Sequence, residues 1–290
     1  MTNRREGLSL KTLNPQDTER SITMGKSAIF DGGIGVSHGD AVVARDGEIL
    51  RCLVGSQVHG LALPNSDHDE MAIYLEPAHY VLGLNEYRGD YISRTQPEGH
   101  RSGPGDIDLV AYGLRKYLRL AIKGNPTVLL PLFAPSEAIL SINHFGQELR
   151  GLRHAFLSQQ AVLRFLGFME SQRQRMLGQS KRHVPNRPEL IAKYGFDTKY
   201  AAHALRLALQ GLEITATGDL QLPMRANLRE RVLAVKTGQI PQAEVLAQIS
   251  DLETSIRNRL SARDTPLPEK PDLFKIEYWA IQAQRRFWGW

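Results

Sequence analysis

No stretch of the 290 residues approaches the roughly 20 consecutive apolar residues a membrane span requires, and the single cysteine, Cys52, excludes an internal disulfide. Apolar content of 42% and charged content of 23% are those of an ordinary soluble globular protein, long enough for two domains or for one with a large helical extension. The 36 lysines and arginines exceed the 31 acids by enough to give +5, which permits a polyanionic partner without demanding one.

The first 25 residues read as an arm, polar throughout and without the apolar segment of a secretory signal. Met24-Gly25-Lys26-Ser27 ends like a phosphate loop, but the position that should hold the first glycine is Arg20 and no apolar strand precedes it. The glycines at 32, 33, 35 and 39 suggest a flexible lead into the first domain. No GxGxxG in a βαβ setting supports a dinucleotide fold. With Cys52 placed in a predicted strand as a packed thiol, the expected compartment is the reducing cytoplasm.

Ile49–Val54 reads as a short buried strand broken by Gly55-Ser56, followed by a loop or brief helical turn and a second strand opening on Asp67-His68-Asp69. Residues two apart on a strand share a face, so Asp67 and Asp69 present adjacent carboxylates with His68 turned away. Such a pair supplies the hard oxygen ligands that Mg²⁺ shares with substrate phosphates. Gly55 allows a close backbone approach to a phosphate, and Ser56 adds a hydroxyl. The bland alternative is a pair of solvated carboxylates at a strand end.

Gly-Ser, ten intervening residues, then Asp-x-Asp followed by apolar residues resembles the signature of the DNA polymerase beta superfamily of nucleotidyltransferases. The longer run GSQVHGLALPNSDHDEMAIYLEP is similar to the bacterial and phage "predicted nucleotidyltransferase" family, some of whose members are linked to RNA repair.

Further along, Tyr91–Thr95 and Asp106–Val110 read as strands around a turn-rich loop. The resemblance implies a third carboxylate on a strand after Asp-x-Asp; Asp108 matches best, with Asp106 as runner-up. Tyr112–Ile122 reads as a helix closed by Gly124, and Asn125-Pro126 as the start of another. Near residue 150 the pattern changes to long helical segments, beginning with Ser158–Leu177. A basic loop follows, with Lys181, Arg182, His183 and Arg187, then Lys193–Leu212, KYGFDTKYAAHALRLALQGL, which also resembles the family. Asp197 is its expected N-cap, and Gly211 lies near its expected end. Lys199, His203 and Arg206 share one helix face there, a cation–His–cation arrangement suited to triphosphate oxygens, with His203 expected to titrate near neutral pH. Its bland alternative is a solvated face. Ala226–Lys236 and Gln242–Ala262 read as supporting helices, and a last helix with Phe274, Tyr278, Trp279 and Phe287 is expected to pack back on the body.

These readings give an α+β protein: an extension over 1–44, a nucleotidyltransferase-like mixed sheet flanked by helices over 45–150, and an all-helical domain over 151–290 completing a cleft. The resemblance implies transfer of a nucleoside monophosphate from an NTP such as ATP to a hydroxyl, with a nucleic-acid end as acceptor, no membrane partner, and release of pyrophosphate. It implies Asp67, Asp69 and Asp108 as catalytic ligands of a two-metal Mg²⁺ or Mn²⁺ site, and Gly55, Ser56, Lys199, His203 and Arg206 as nucleotide-binding residues. The alternatives are nucleotidylation of a protein or small molecule, and a non-catalytic nucleic-acid-binding module.

Overall fold

The computed structural model describes residues 37–64, 66–84, 87–98, 100, 102–103, 105–179 and 187–290. The rejected phosphate loop, the glycines at 32, 33 and 35, and Lys181–His183 of the basic loop lie outside these residues.

The described strands are β1 (Ser37–His38), β2 (Glu48–Leu53), β3 (His68–Tyr74), β4 (Asp90–Arg94), β5 (Ile107–Gly113) and β6 (Ile139–Ile142). They form one mixed sheet in the order β1-β4-β5-β3-β2-β6. Every pairing is antiparallel except β3 with β5, whose parallel register sets Asp69 opposite Asp108. That pair starts both strands at the same end of the sheet. Parallel pairing needs a crossover connection, and here the crossover is the hairpin partner β4.

The described helices are α1 (Ala41–Asp46), α2 (Gly55–Val58), α3 (Ala78–Leu82), α4 (Leu114–Ala121), α5 (Leu130–Phe133), α6 (His144–Gly151), α7 (Gln159–Met176), α8 (Pro188–Tyr194), α9 (Thr198–Thr217), α10 (Ala226–Lys236), α11 (Gln242–Ser261) and α12 (Leu273–Trp288). Alternation along the strands gives the sheet two apolar faces. Ala72, Tyr74, Tyr91, Leu109 and Ala111 pack with Ala44 of α1 on one face. Met71, Ile73 and Leu75 belong to the larger core, which continues without interruption through Tyr117, Phe165, Leu205 and Ile249 to Trp279 of α12. Burying side chains of that size removes water from apolar surface at about 1.5–3 kcal/mol each, and here one core joins the sheet to the helices.

Helix α9 runs through the middle of the helical part, flanked by α7, α10 and α11. Asp197 caps it, its Oδ1 accepting from the amides of Lys199 at 3.0 Å and Tyr200 at 3.1 Å. The helix continues past Gly211 to Thr217 and stops at left-handed Gly218. Gly211 sits against Ile256 and Phe165, so its small size serves packing against α11 and α7, and it does not end the helix. Tyr112, expected in a helix, is the penultimate residue of β5. Asn125 caps a turn, its Oδ1 accepting from the amide of Thr127 at 3.1 Å, and the helix expected from Pro126 begins only at Leu130.

The last helix returns to the sheet. Gln284 Nε2 donates to Glu76 Oε2 at 3.1 Å, and Trp288 Nε1 donates to the Glu76 carbonyl at 2.8 Å. Of the aromatics expected to pack there, Trp279 is buried, whereas Phe274 and Tyr278 face outward at 82% and 62% exposure. They are four residues apart and so share the face opposite Ile276 and Ala283. Among the described residues, no helix is long and apolar enough to cross a membrane.

Candidate active site

The site forms where β2 ends, α2 begins and β3 and β5 start. Gly55 takes a left-handed backbone (φ +59°), and a Cβ built on it would lie 2.0 Å from Asp69 Oδ2. An L side chain is strained at that φ and has no room there. The Val54 amide donates to the Asp69 carbonyl at 2.8 Å, so the Gly-Ser turn and the Asp-x-Asp strand are locked together. Ser56 Oγ is buried without a hydrogen-bond partner, a hydroxyl held ready for a group that the protein itself does not supply.

Carboxylate oxygens of Asp67, Asp69 and Asp108 all lie within 4.8 Å of one another. Asp67 immediately precedes β3, and His68 is exposed, turned away as its strand position requires. Asp106 is directed elsewhere: it accepts from the Gly103 amide at 2.8 Å and from Thr95 Oγ1 at 3.2 Å, and so closes the turn into β5. Asp108 is held by Ser102 Oγ, which donates to Oδ2 at 2.6 Å, and Gln96 Nε2, which donates to Oδ1 at 2.8 Å. Burial, together with the charges of Asp67 and Asp108, pushes the Asp69 carboxyl up to about 6. Three converging carboxylates, with Arg94 Nε 3.7 Å from Asp108 and Asp69 still pushed up, beside an unpartnered buried hydroxyl, fit a divalent cation and a phosphate ligand.

Facing these groups across a cleft of about 530 Å³ is the predicted face of α9. Gly55, Ser56, Asp67 and Asp69 line one wall, and Lys199, His203 and Arg206 line the other. The spacing put all three on one helix face, and the structure turns that face to the cleft, but His203 differs from expectation. Burial and the surrounding charges of Arg206 and Lys199 push its imidazole down to about 3, so it is neutral where titration near neutrality was expected. Arg206 Nη1 donates to His59 Nε2 at 2.8 Å and to Gln210 Oε1 at 2.9 Å. A guanidinium can only donate, so His59 Nε2 accepts and the ring is neutral; burial and Arg206 hold its pKa well below the ordinary value. Burial lowers Arg206 to about 10, which leaves it cationic at neutral pH.

Sequence reasoning missed Lys236, which lines the same cleft from the last turn of α10. Its Nζ donates to the Leu61 carbonyl at 2.8 Å, and burial with the nearby Lys199 charge lowers its pKa. It also missed Ser102 and Gln96 behind Asp108. His59 lay inside the GSQVHG string and was legible as a motif member, though its bond to Arg206 spans 147 residues and was not.

A family model described as the RNA repair pathway DNA polymerase beta family, RlaP, matches residues 45–270. The chain belongs to this family. The resemblance carried by Gly55-Ser56 and Asp67-x-Asp69 falls within the matched residues. An uncharacterized 38.9 kDa protein of Enterobacteria phage T4, from the nrdC-mobD intergenic region, is 26% identical over 92 residues, which is 32% of this chain and 27% of that protein. The match thus spans about a quarter of that relative's length. A crystal structure of a nucleotidyltransferase-like protein from Exiguobacterium sibiricum 255-15 is similar over 75% of this chain and 71% of that one, at 12% identity and a TM-score of 0.31.

Proposed function

We propose that this RlaP-family member transfers a nucleoside monophosphate from an NTP to a hydroxyl of a nucleic-acid end, with release of pyrophosphate. The observation that carries the reading is a cluster of three carboxylates within 4.8 Å of one another, of which Asp67 and Asp69 line the same cleft as Lys199 and Arg206. Anionic ligands on one wall and cations on the other are what a metal-bound triphosphate requires.

In this reading Asp67, Asp69 and Asp108 hold Mg²⁺ or Mn²⁺, whose chemistry is to neutralise triphosphate charge and lower the pKa of the attacking hydroxyl. The hydroxyl oxygen gives up its proton to water and forms a bond to the α-phosphorus while the bond from that phosphorus to the pyrophosphate oxygen breaks, the bonding pair leaving with pyrophosphate. Ser56 Oγ donates to a phosphate oxygen, which satisfies a hydroxyl that has no protein partner. Lys199 and Arg206 stabilise the charge that grows on the departing pyrophosphate. Neutral His203 adds a hydrogen bond without a charge. Gly55 lets the chain turn against Asp69, and Ser102 and Gln96 keep the Asp108 carboxylate aimed at the other two.

Incubation of the full chain with labelled NTPs, Mg²⁺ and RNA, DNA or protein acceptors tests this. The expected result is label on nucleic acid with stoichiometric pyrophosphate, lost in Asp67→Asn. Label on protein alone would establish the rival acceptor class. Transfer undiminished in Asp67→Asn, or none to any acceptor, would refute the assignment.

A further inference from the structure

The cleft is not the only cavity walled by α9. Continuing the face of Lys199, His203 and Arg206 by the same alternation of four and three residues gives Gln210, Glu213 and Thr217. Glu213 and Thr217 line a second cavity of about 500 Å³, with Arg150, Arg153 and Arg225 at its edge and an apolar floor that includes Phe133. Three elements wall both spaces in succession. α5 gives Leu130 to the cleft and Leu132 and Phe133 to the second cavity, α9 gives Arg206 to one and Glu213 to the other, and the start of α10 adjoins the second while Lys236 closes the first. Seven residues of helix separate Arg206 from Glu213, a rise of about 10 Å. On the helix between them, Arg206 Nη1 donates to His59 and Gln210.

Charge in the second cavity is unbalanced. Its two carboxylates already have cationic or polar neighbours: Glu213 has Arg225 at 3.5 Å, and Asp219 has His154 at 3.2 Å. Arg153 makes no carboxylate ion pair among the described residues. Arg150 donates through Nη2 to the Ala134 carbonyl, while its Nε is buried without a partner. Two neighbouring guanidiniums, one with an unsatisfied buried donor, line this cavity. A phosphate anion meets this condition, because guanidinium matches phosphate oxygens.

We infer that this second cavity binds the acceptor strand beside the catalytic cleft, through a backbone phosphate held on Arg150 and Arg153. The inference rests on the nucleic-acid acceptor proposed above and supplies the surface that holds it. Residues Arg150 and Arg153 take no part in the triphosphate site, so strand binding and NTP binding are separable.

Fluorescence anisotropy with a single-stranded RNA of about 12 nucleotides, labelled at its 5′ end, reads strand binding directly and without turnover. Arg153→Glu is expected to weaken the RNA at least tenfold at about 0.1 M salt, with the slope of log affinity against log salt reduced by roughly one phosphate contact. NTP affinity, measured by calorimetry, should stay within twofold. Arg153→Gln, which carries no repulsion, should give a smaller loss with the same unfolding midpoint as wild type, separating the site from misfolding. RNA affinity unchanged in both variants overturns the inference, as does equal loss of RNA and NTP binding. AMP that displaces the RNA from wild type more tightly than the RNA binds would assign the cavity to a free nucleotide and overturn the strand. Because no step depends on transfer, failure of the catalytic assignment would leave this measurement readable.

Discussion

Replacing Asp69 by asparagine should make the metal-free protein more stable and inactive. In the folded chain burial and the charges of Asp67 and Asp108 raise the Asp69 carboxyl from 3.8 to about 6. A group whose folded pKa is raised contributes stability below the unfolded pKa and loses it as pH rises through the folded one. The penalty for ionising Asp69 is therefore complete at pH 7.5 and absent below about pH 4. A rise of that size corresponds to ~3 kcal/mol, and water in the open cleft screens this to about 1–2 kcal/mol. The asparagine side chain keeps the shape and carries no charge, so in EDTA the variant's unfolding midpoint should rise by roughly 2–6 °C at pH 7.5 and match wild type near pH 4. Mg²⁺ should then stabilise wild type and leave Asp69→Asn nearly unmoved, and nucleotide transfer should be lost. Denaturation in EDTA and in Mg²⁺ at both pH values, with turnover measured alongside, tests all of this. An Asp69→Asn protein that is destabilised in EDTA at pH 7.5, or that turns over like wild type, refutes the reasoning.

Asp108→Asn should lose turnover yet keep triphosphate binding, whereas Asp106→Asn should keep turnover within a few-fold and lose only modest stability from its turn; kinetics and calorimetry on the pair check it, and the reverse pattern would exchange their roles. Arg206→Ala removes a charge-assisted hydrogen bond worth about 1.5–3 kcal/mol and should weaken NTP binding or slow turnover by roughly ten- to a hundredfold; unchanged kinetics would remove α9 from the active site. Because His59 and His203 have folded pKa values below their unfolded ones, stability should be level above about pH 6.5 and fall as pH drops below it, each adding at most ~1.4 kcal/mol per pH unit. Urea midpoints across that range measure the slope, and His203→Gln should make it shallower.

The site's first half was legible because its parts are local. Gly55-Ser56 and Asp67-x-Asp69 lie within fifteen positions of sequence, and a strand period places the carboxylates on one side. Helix spacing likewise sufficed for Lys199, His203 and Arg206, since a helix face is a property of the segment alone. What spacing cannot carry is environment. The depressed pKa of His203 depends on Arg206 and Lys199 beside it and on the burial the neighbouring helices impose, none of which a motif records. Lys236 was read as the end of a supporting helix because nothing in Ala226–Lys236 marks the side that meets Leu61, 175 residues earlier. Gly211 misled for a related reason: glycine near a run's end suggests a stop, and only the closeness of Ile256 and Phe165 explains one in mid-helix. The outward turn of Phe274 and Tyr278 follows from the same limit, since an aromatic-rich helix does not reveal which of its faces the body covers.

The position of the carboxylates within the sheet argues for function independently of any motif. β3 and β5 are the parallel pair in an otherwise antiparallel sheet, and their register sets Asp69 directly opposite Asp108. Like charges facing each other across strands destabilise a sheet, and burial adds to the penalty at Asp69. A sequence shaped for stability alone would place a threonine or valine at one of these positions, as the apolar partners Met71–Val110 and Ala72–Ala111 further along the same pair show. Natural sequences are locally consistent, and departures from that consistency concentrate at functional sites. Here left-handed Gly55, pressed against Asp69, brings the unpartnered Ser56 hydroxyl beside the unfavourable pair; a cation would relieve the carboxylates and a phosphate would give the hydroxyl a partner. Two separate local costs that a metal-bound phosphate would relieve together are hard to account for as packing, and they support the site proposed at this end of the sheet.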